Sequence, residues 1–188
     1  RTATVAPSAC IKGPCIIGHN AEIRHCAFIR GSAIVGENAV VGNSTELKNV
    51  ILFNEVQVPH FNYVGDSILG YKAHLGAGAI TSNVKSDRGL VKVRLNNGSS
   101  NTIDSGRAAV PSAYADCVCG DVIKTEMKKV GAMLGDCVEV GCNSVLNPGT
   151  IVGRNTMIYP LSLVFGCVPA DSIYKDRNNI VHKKSDWV

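Results

Sequence analysis

The sequence predicts an all-β fold, a left-handed parallel β-helix. Three observations support this: aliphatic residues with a period of six, small residues four positions after them, and a low aromatic content. Aromatic residues make up 5% of the 188-residue chain, hydrophobic residues make up 45%, and there are 19 glycines. A narrow interior filled by aliphatic and small side chains fits this composition. Charged residues make up 18%, which is typical of a globular chain rather than a disordered one.

The period of six appears in two blocks of the chain. Its large apolar residues are Ile11, Ile17, Ile23, Ile29, Val35, Val41, Leu47 and Phe53, then Leu134, Val140, Leu146, Val152, Ile158 and Val164. The small residues that follow are Cys15, Ala21, Ala27, Ala33, Ala39 and Thr45. This period fits neither an α-helix nor a hairpin meander, and is typical of a solenoid whose coils each contain three hexads. We expect the aliphatic and small residues to point inward, and glycines such as Gly18 and Gly36 to permit the corner backbone.

The domain organisation predicted is a single β-helix domain over residues 1–188, with an inserted loop at 84–129 and a non-repeat C-terminal tail at 169–188. The insertion contains the turn-rich run Asn96-Asn97-Gly98-Ser99-Ser100-Asn101. Each coil of a solenoid touches only its neighbours, so a loop can leave at one corner and return. The tail loses the period and is predicted to run as a loop or short arm.

Composition also restricts the partners and the location. The net charge is +4 and the basic residues are spread out, so no nucleic-acid surface is predicted. The chain contains neither an apolar stretch of membrane-spanning length nor a secretory signal pattern, so we expect no membrane partner and a cytoplasmic location. The eight cysteines include no C-x-x-C pair and fit reduced, small apolar positions.

A column of cations follows from the coil length. Residues eighteen apart are expected to stack on successive coils, ~4.8 Å apart. Lys12, Arg30 and Lys48 have this spacing, and a bridging anion such as phosphate would stabilise three stacked cations. The alternative is a solvated basic edge, which the spacing alone slightly favours.

No metal site is predicted. His19 and His25 are six residues apart, so they should lie on different faces and cannot chelate one ion within a protomer. A zinc carbonic anhydrase built on this solenoid would need three histidines converging at a subunit interface. His60 and His74 could contribute, but a third partner is not evident, so this remains a minor alternative.

The segment from Gly42 to Asn83 carries the most specific motifs: G-N-S-T-E-L-K-N, then P-H-F-N-Y-V-G-D, then L-G-A-G-A-I-T-S-N. It resembles the acetyltransferase domain of the bacterial bifunctional enzyme that makes UDP-N-acetylglucosamine. It is still more similar to archaeal-type sugar-1-phosphate nucleotidylyltransferases that carry an amino-sugar acetyltransferase tail. The resemblance spans roughly residues 23–177, interrupted by the insertion. It implies an acyltransferase that uses acetyl-CoA. It also implies a homotrimer that binds the coenzyme between the β-helices of neighbouring subunits.

The resemblance implies a role for several residues on the acceptor side. His60 matches the histidine that acts as general base, and Arg30 and Lys48 match the pair that binds the sugar phosphate. Tyr63 matches a tyrosine that contacts the sugar. His74 stands where the family has a substrate-contacting asparagine, and Lys85 is the candidate for a basic residue that the family has after the T-x-N segment.

On the coenzyme side, the resemblance assigns Ala77 and Asn83 to the segment that lines the acetyl-CoA site. Cys142 stands at a serine of that site and Pro160 at a small alanine. Arg177 matches a late arginine that contacts the coenzyme. The substitutions at His74, Cys142 and Pro160 leave the identity of the sugar more open than the reaction type.

The function predicted is therefore transfer of acetyl from acetyl-CoA to the amine of an amino-sugar 1-phosphate, with glucosamine-1-phosphate as the first candidate, in UDP-N-acetylglucosamine biosynthesis. A neutral imidazole suits the removal of the amine proton. Asp66 either orients that imidazole or completes the turn at Gly65-Asp66, with the turn favoured. Two alternatives remain: a nucleotide-linked amino sugar as acceptor, or a non-catalytic oligomerisation or regulatory tail of a nucleotidylyltransferase.

Overall fold

The computed structural model describes residues 2–95 and 122–183. These residues form a left-handed parallel β-helix whose coils have three flat sides, which confirms the predicted fold class. Within the described ranges no helix is long and apolar enough to cross a membrane.

The three sides of the prism are here called faces 1, 2 and 3. Face 1 contains β1 (Thr4–Val5), β4 (Glu22–Ile23), β7 (Val40–Asn43), β9 (Gln57–His60), β11 (His74–Leu75), β16 (Glu139–Val140), β19 (Met157–Ile158), β22 (Ser172–Asp176) and β23 (Asn179–His182). Face 2 contains β2 (Cys10–Ile11), β5 (Phe28–Ile29), β12 (Ile80–Thr81), β17 (Val145–Leu146) and β20 (Leu163–Val164), with the first halves of β8 (Glu46–Leu52) and β10 (Tyr63–Leu69). Face 3 contains β3 (Cys15–Ile17), β6 (Ala33–Val35), β15 (Ala132–Leu134), β18 (Thr150–Val152) and β21 (Cys167–Val168), with the second halves of β8 and β10.

The coil length changes along the chain. Glu22 pairs with Val40, eighteen residues on, whereas Val40 pairs with Gln57 and Gln57 pairs with His74, seventeen residues on. The shorter coils lose one residue at the corner between faces 2 and 3. There β8 and β10 run through the corner without a break. One residue in each strand has the left-handed backbone conformation: Asn49 (φ 53°) in β8 and Asp66 (φ 48°) in β10.

This shortening overturns one predicted core position. Phe53 was expected to point inward, but it is 51% exposed, and Leu52 occupies the interior at 1% exposure. The other predicted aliphatic positions from Ile23 to Leu47 are buried, as are the small residues from Ala21 to Thr45.

Leu52→Ala should destabilise the fold by about 2–5 kcal/mol, because it leaves a cavity in a closely packed interior. Phe53→Ala should change the free energy of unfolding by less than about 1 kcal/mol, because the ring is half exposed. Denaturant unfolding of the two variants measures both values. Equal losses, or a larger loss for Phe53→Ala, would mean that Phe53 rather than Leu52 occupies the interior.

The glycines that follow the aliphatic residues have a different role from the one predicted. The left-handed corner residues are mostly not glycine, and include Asn20, Asn38 and Ser44. Gly36 and Gly42 are needed because neighbouring coils approach closely: a Cβ on Gly42 would lie 1.6 Å from the carbonyl oxygen of Pro59. The expectation that these glycines permit the corner backbone is therefore wrong.

The insertion leaves and re-enters the helix at one point. The Val130 N–H donates to the Asn83 carbonyl at 3.0 Å, which closes the coil across the insertion. The part of the insertion nearest the prism is an antiparallel pair, β13 (Lys92–Arg94) with β14 (Val122–Lys124). Val91 and Val93 are buried beside Gly149. The predicted turn run at 96–101 lies outside the described residues.

The C-terminal tail extends face 1 in its described part. Strand β22 pairs in parallel with β19, and β23 folds back on β22 as an antiparallel strand. Tyr174 is 1% exposed and caps the interior, with its hydroxyl donating to the Leu163 carbonyl at 2.8 Å. Residues 172–182 therefore form a β-hairpin.

Candidate active site

One corner of the prism, between faces 1 and 2, brings together predicted residues from four coils. We call it the His60 column, and its members in register are Asn43, His60, Ala77, Cys142 and Pro160. Backbone hydrogen bonds of 2.7–3.1 Å join the carbonyls of the first four members to the coil that follows each of them. The predicted base and three predicted coenzyme residues thus lie in one line, with ~4.8 Å between neighbours.

The backbone after His60 is firmly held while its side chain is exposed. The His60 N–H donates to Asn62 Oδ1 at 3.2 Å. Asn62 is buried, and its amide donates to the carbonyls of Gly76 at 2.8 Å and Ala79 at 3.2 Å. Among the residues that the structure describes, none forms a hydrogen bond with the His60 imidazole. The exposed imidazole is therefore free of protein partners among the described residues and accessible to a ligand.

A concave surface on face 1 adjoins this column. Its lining includes His74, Glu139, Cys142, Tyr159 and Pro160. His74 Nδ1 lies 2.8 Å from Glu139 Oε2. The hydrogen bond to Glu139 raises the pKa of His74 above 6.5, burial opposes this shift, and the carboxylate charge adds to it. The pair thus sets a carboxylate and an imidazole beside two predicted coenzyme residues.

Glu139→Gln should lower the pKa of His74 and make stability less dependent on pH. A histidine whose pKa is raised by folding contributes stability that is fully present below the unfolded value of 6.5, and loses it as pH rises through the folded pKa. The variant should therefore lose more thermal stability at about pH 5.5 than at about pH 9. Thermal melts and an NMR titration of the imidazole measure both effects. Equal losses at the two pH values would contradict this account of the pair.

On face 2 the predicted cation column is present but its members have partners. The backbone N–H of Arg30 donates to the Leu47 carbonyl at 2.7 Å, so Arg30 and Lys48 stack as their spacing predicts. Arg30 Nη1 lies 3.0 Å from Glu46 Oε1, and Lys48 Nζ lies 3.3 Å from Asp66 Oδ2. Their side chains remain 53% and 24% exposed, so an anion can still reach both.

Asp66 makes contacts beyond the turn role that was favoured for it, and none of these contacts is with His60. It occupies a left-handed corner, as a turn residue would, and its side chain is only 8% exposed. It accepts hydrogen bonds from Lys48, Asn49 and Asn83 rather than from His60. Burial alone would raise the pKa of Asp66, but the hydrogen bonds from the two asparagines and Lys48, with the Lys48 charge, hold it below 3.8.

Tyr63 and Asn83 belong to the same cluster. The Asn83 amide donates to the Tyr63 hydroxyl oxygen at 3.3 Å and also to Asp66. The Tyr63 ring reaches Asn83 by lying over Gly65, where an added Cβ would be 2.6 Å from the hydroxyl oxygen and 2.9 Å from two ring carbons. We call Lys48, Asn49, Tyr63, Asp66 and Asn83 the Asp66 cluster.

Gly65→Ala should move the Tyr63 ring off its position and break its hydrogen bond with Asn83, because the two groups cannot occupy the same space. We expect a stability loss of about 1–3 kcal/mol. Gly13→Ala is a matched control, since its new Cβ would meet only the Cys15 nitrogen at 3.9 Å. Denaturant unfolding and tyrosine fluorescence measure the effect, and a loss no larger than that of Gly13→Ala would rule out the crowding.

Two predicted residues lie apart from these clusters. Lys85 is in the first turn of the insertion and pairs with Asp87 at 2.8 Å. Arg177 is in the turn between β22 and β23, with its guanidinium 5.2 Å from the centroid of the Phe165 ring. Their ligand contacts, like those of the other predicted site residues, remain predictions.

Sequence reasoning missed several site residues, among them Glu46, Asn49 and Glu139. The eighteen-residue spacing could not reveal that Asn49 meets Asp66, because the coil between them has seventeen residues. Glu139 meets His74 across the insertion, sixty-five residues on, where a fixed period gives no guidance. Glu46 lies two residues before Lys48 on the same outward side of β8, which the alternation of a strand could have indicated.

Within residues 2–95 and 122–183, no group of three or more histidine, cysteine or acidic side chains could hold a metal ion. His19 Nδ1 contacts the Thr2 hydroxyl, and His25 Nδ1 contacts the Ser8 hydroxyl. The thiols of Cys26, Cys137 and Cys142 are free.

The fold places this chain among the β-solenoid proteins. The chain matches the family model described as the GMPPB C-terminal domain over residues 11–130. It belongs to the GMPPB C-terminal domain family.

The relatives agree with the resemblance predicted from the motifs. The chain is 31% identical over 144 residues to the bifunctional protein GlmU of Methanococcus maripaludis, covering 76% of this chain and 29% of the relative. It is 30% identical over 123 residues to a bifunctional sugar-1-phosphate nucleotidylyltransferase/acetyltransferase of Sulfurisphaera tokodaii, covering 65% of this chain and 25% of the relative. The chain thus spans less than a third of these relatives.

Solved structures share the fold. PerB of Caulobacter crescentus, in complex with CoA and GDP-perosamine, aligns with a TM-score of 0.51 at 12% identity, covering 92% of this chain and 53% of that one. A putative acetyltransferase of Bacillus cereus aligns with a TM-score of 0.51 at 13% identity, covering 98% of this chain and 79% of that one. At identities this low, the two structural alignments show a shared fold and nothing further.

Proposed function

We propose that the chain transfers acetyl from acetyl-CoA to the amine of an amino-sugar 1-phosphate, with glucosamine-1-phosphate as the first acceptor to test. The observation that carries this proposal is the His60 column, which aligns a solvent-facing histidine with Ala77, Cys142 and Pro160. The similarity to the sugar-1-phosphate nucleotidylyltransferase/acetyltransferase of Sulfurisphaera tokodaii supports it.

The chemistry assigned to His60 is the removal of one proton. The uncharged amine of the acceptor attacks the thioester carbonyl carbon, and a neutral imidazole takes the amine proton as the C–N bond forms. The C–S bond then breaks, and the proton on the imidazole can pass to the departing thiolate of CoA. The exposed imidazole of His60, fixed at its backbone by Asn62, suits this role.

The phosphate of the acceptor is assigned to Arg30 and Lys48. Each already has a carboxylate partner, so the phosphate has to share or displace that partner. A guanidinium has five donors and an ammonium three, which leaves donors on both for phosphate oxygens. Tyr63, between this pair and the His60 corner, is assigned to the sugar ring.

The coenzyme is assigned to the same corner. Ala77 and Cys142 are small side chains in register, which leaves room for an extended thioester arm beside the column. Asn83 supplies an amide, and Arg177 is assigned to the nucleotide end. His74 is assigned to the acceptor, where its pair with Glu139 replaces a neutral amide with two groups that can carry charge.

We also assign the chain to a homotrimer, and face 3 supports this part of the proposal. Outward-pointing apolar residues stack along that face in register: Ile16, Ile34, Ile51, Ile68, Met133 and Ile151. Ile16 is 64% exposed and Ile34 is 44% exposed. Five strand spacings make this stripe ~24 Å long, and a long apolar stripe is typical of a protein interface. Sedimentation of the chain against Ile34→Glu tests it: a mass of 19.9 kDa for the unmodified chain would rule the trimer out.

The acceptor is tested with a panel. The chain is incubated with acetyl-CoA and glucosamine-1-phosphate, glucosamine-6-phosphate, glucosamine, or a nucleotide-linked amino sugar, and N-acetylated product is measured by mass spectrometry. Preference for glucosamine-1-phosphate supports the proposal. Preference for the nucleotide-linked sugar would replace the acceptor, and no product with any of them would favour the non-catalytic tail.

A further inference from the structure

Asp66 connects the two halves of the proposed site. Lys48 and Asn49 approach its carboxylate from the preceding coil, and Asn83 approaches from the coil that follows. Asn49 Nδ2 lies 2.7 Å from Oδ1, and Lys48 Nζ lies 3.3 Å from both oxygens. The carboxylate is 8% exposed and therefore has little competition from water.

An ionised carboxylate only accepts hydrogen bonds, so it determines which end of each amide faces it. The Asn83 NH2 group uses one hydrogen toward Asp66 and the other toward the Tyr63 hydroxyl oxygen. The Asn83 carbonyl oxygen must then point away from the cluster, where a ligand N–H can reach it. Likewise, the Lys48 ammonium directs at most two of its three hydrogens at the Asp66 oxygens, which leaves at least one for an anion.

We propose that Asp66 is a positioning residue that fixes the Lys48 ammonium and the Asn83 amide at once, and so couples binding of the acceptor to binding of the coenzyme. The proposal rests on the function proposed above. The backbone supports the coupling, because the Gly131 N–H donates to the Asp66 carbonyl at 2.8 Å and the Val130 N–H donates to the Asn83 carbonyl at 3.0 Å. The return of the insertion is thus anchored on both residues. The lowered pKa of Asp66 keeps the carboxylate ionised near neutral pH.

The test compares Asp66→Asn with Glu22→Gln, which removes a carboxylate from an exposed ion pair with Arg24 at 2.8 Å. Equilibrium dialysis measures CoA binding alone, inorganic phosphate binding alone, and CoA binding in saturating phosphate. We expect Asp66→Asn to weaken both ligands by about tenfold and to remove any effect of phosphate on CoA affinity. Glu22→Gln should leave all three values unchanged.

Three outcomes would overturn the proposal: no effect of phosphate on the CoA affinity of the unmodified chain, affinities of Asp66→Asn within twofold of the unmodified chain, or a loss confined to one of the two ligands. Thermal melts of Asp66→Asn and Asp66→Ala show whether lost affinity merely follows lost stability, since the alanine variant removes more hydrogen bonds. If Asp66→Ala is much less stable than Asp66→Asn but the two variants lose the same ligand affinity, the result supports a positioning role. If the loss of affinity grows in proportion to the loss of stability, the result contradicts it. Binding needs no turnover, so failure of acetyl transfer in the panel would be seen separately.

Discussion

His60→Ala should reduce acetyl transfer by about a hundredfold to ten-thousandfold, with little change in the KM for either substrate. The imidazole is assigned to the proton of the attacking amine, and its two neighbours in the column, Asn43 and Ala77, have no titratable side chain. Steady-state kinetics with acetyl-CoA and glucosamine-1-phosphate measure the effect. The remaining rate of His60→Ala should rise with pH, because a larger fraction of the acceptor amine is then uncharged and does not need a protein base to remove its proton.

The matched control for this variant is His25→Ala. His25 lies in the same corner column, one coil before Asn43, and the Ser44 N–H donates to its carbonyl at 3.2 Å. Its imidazole is exposed like that of His60 but contacts Ser8. Loss of activity in both variants to the same extent would mean that the corner matters for folding or assembly, and would remove His60 as the base.

Lys48→Met should raise the KM for the amino-sugar phosphate by about tenfold to a hundredfold and leave kcat within a few-fold. Hydrogen bonds to charged groups are worth about 1.5–3 kcal/mol, and methionine keeps most of the apolar stem. The KM for acetyl-CoA should change less than the KM for the acceptor. Inhibition by inorganic phosphate should weaken in parallel, and this second readout does not depend on the sugar.

Lys12→Met is the control, because Lys12 is the third member of the predicted column and lies one coil before Arg30. Its ammonium is 5.4 Å from the centroid of the Phe28 ring rather than beside the Asp66 cluster. If both variants raise the acceptor KM equally, the column acts as a general basic edge. If Lys48→Met leaves the acceptor KM unchanged, the phosphate assignment is wrong.

The period of six was enough to predict the fold, because each inward residue is fixed by a repeated local geometry. It failed at Phe53, where the coil shortens to seventeen residues and Leu52 takes the interior. A strand through a corner with one left-handed residue, such as Asn49, has no distinctive signal in a single sequence. Asparagine merely tolerates that conformation better than most residues.

The candidate site was predicted in part. The spacing of Arg30 and Lys48 placed them in one stack because β-helix register is a simple count. Their carboxylate partners and the His74–Glu139 pair were not foreseen, since these contacts depend on side-chain direction and on where the chain returns from the insertion. The resemblance supplied the roles of Ala77, Cys142 and Pro160. The register shows only that they share the corner with His60.

The most direct test of the central claim is the release of free CoA from acetyl-CoA by the unmodified chain in the presence of glucosamine-1-phosphate. The thiol is measured against a blank without acceptor, because the chain's own eight cysteines also react with thiol reagents. We expect release that requires the acceptor and matches the N-acetylated product mole for mole. Release that is absent, or that is the same with and without the acceptor, would contradict acetyl transfer by this chain.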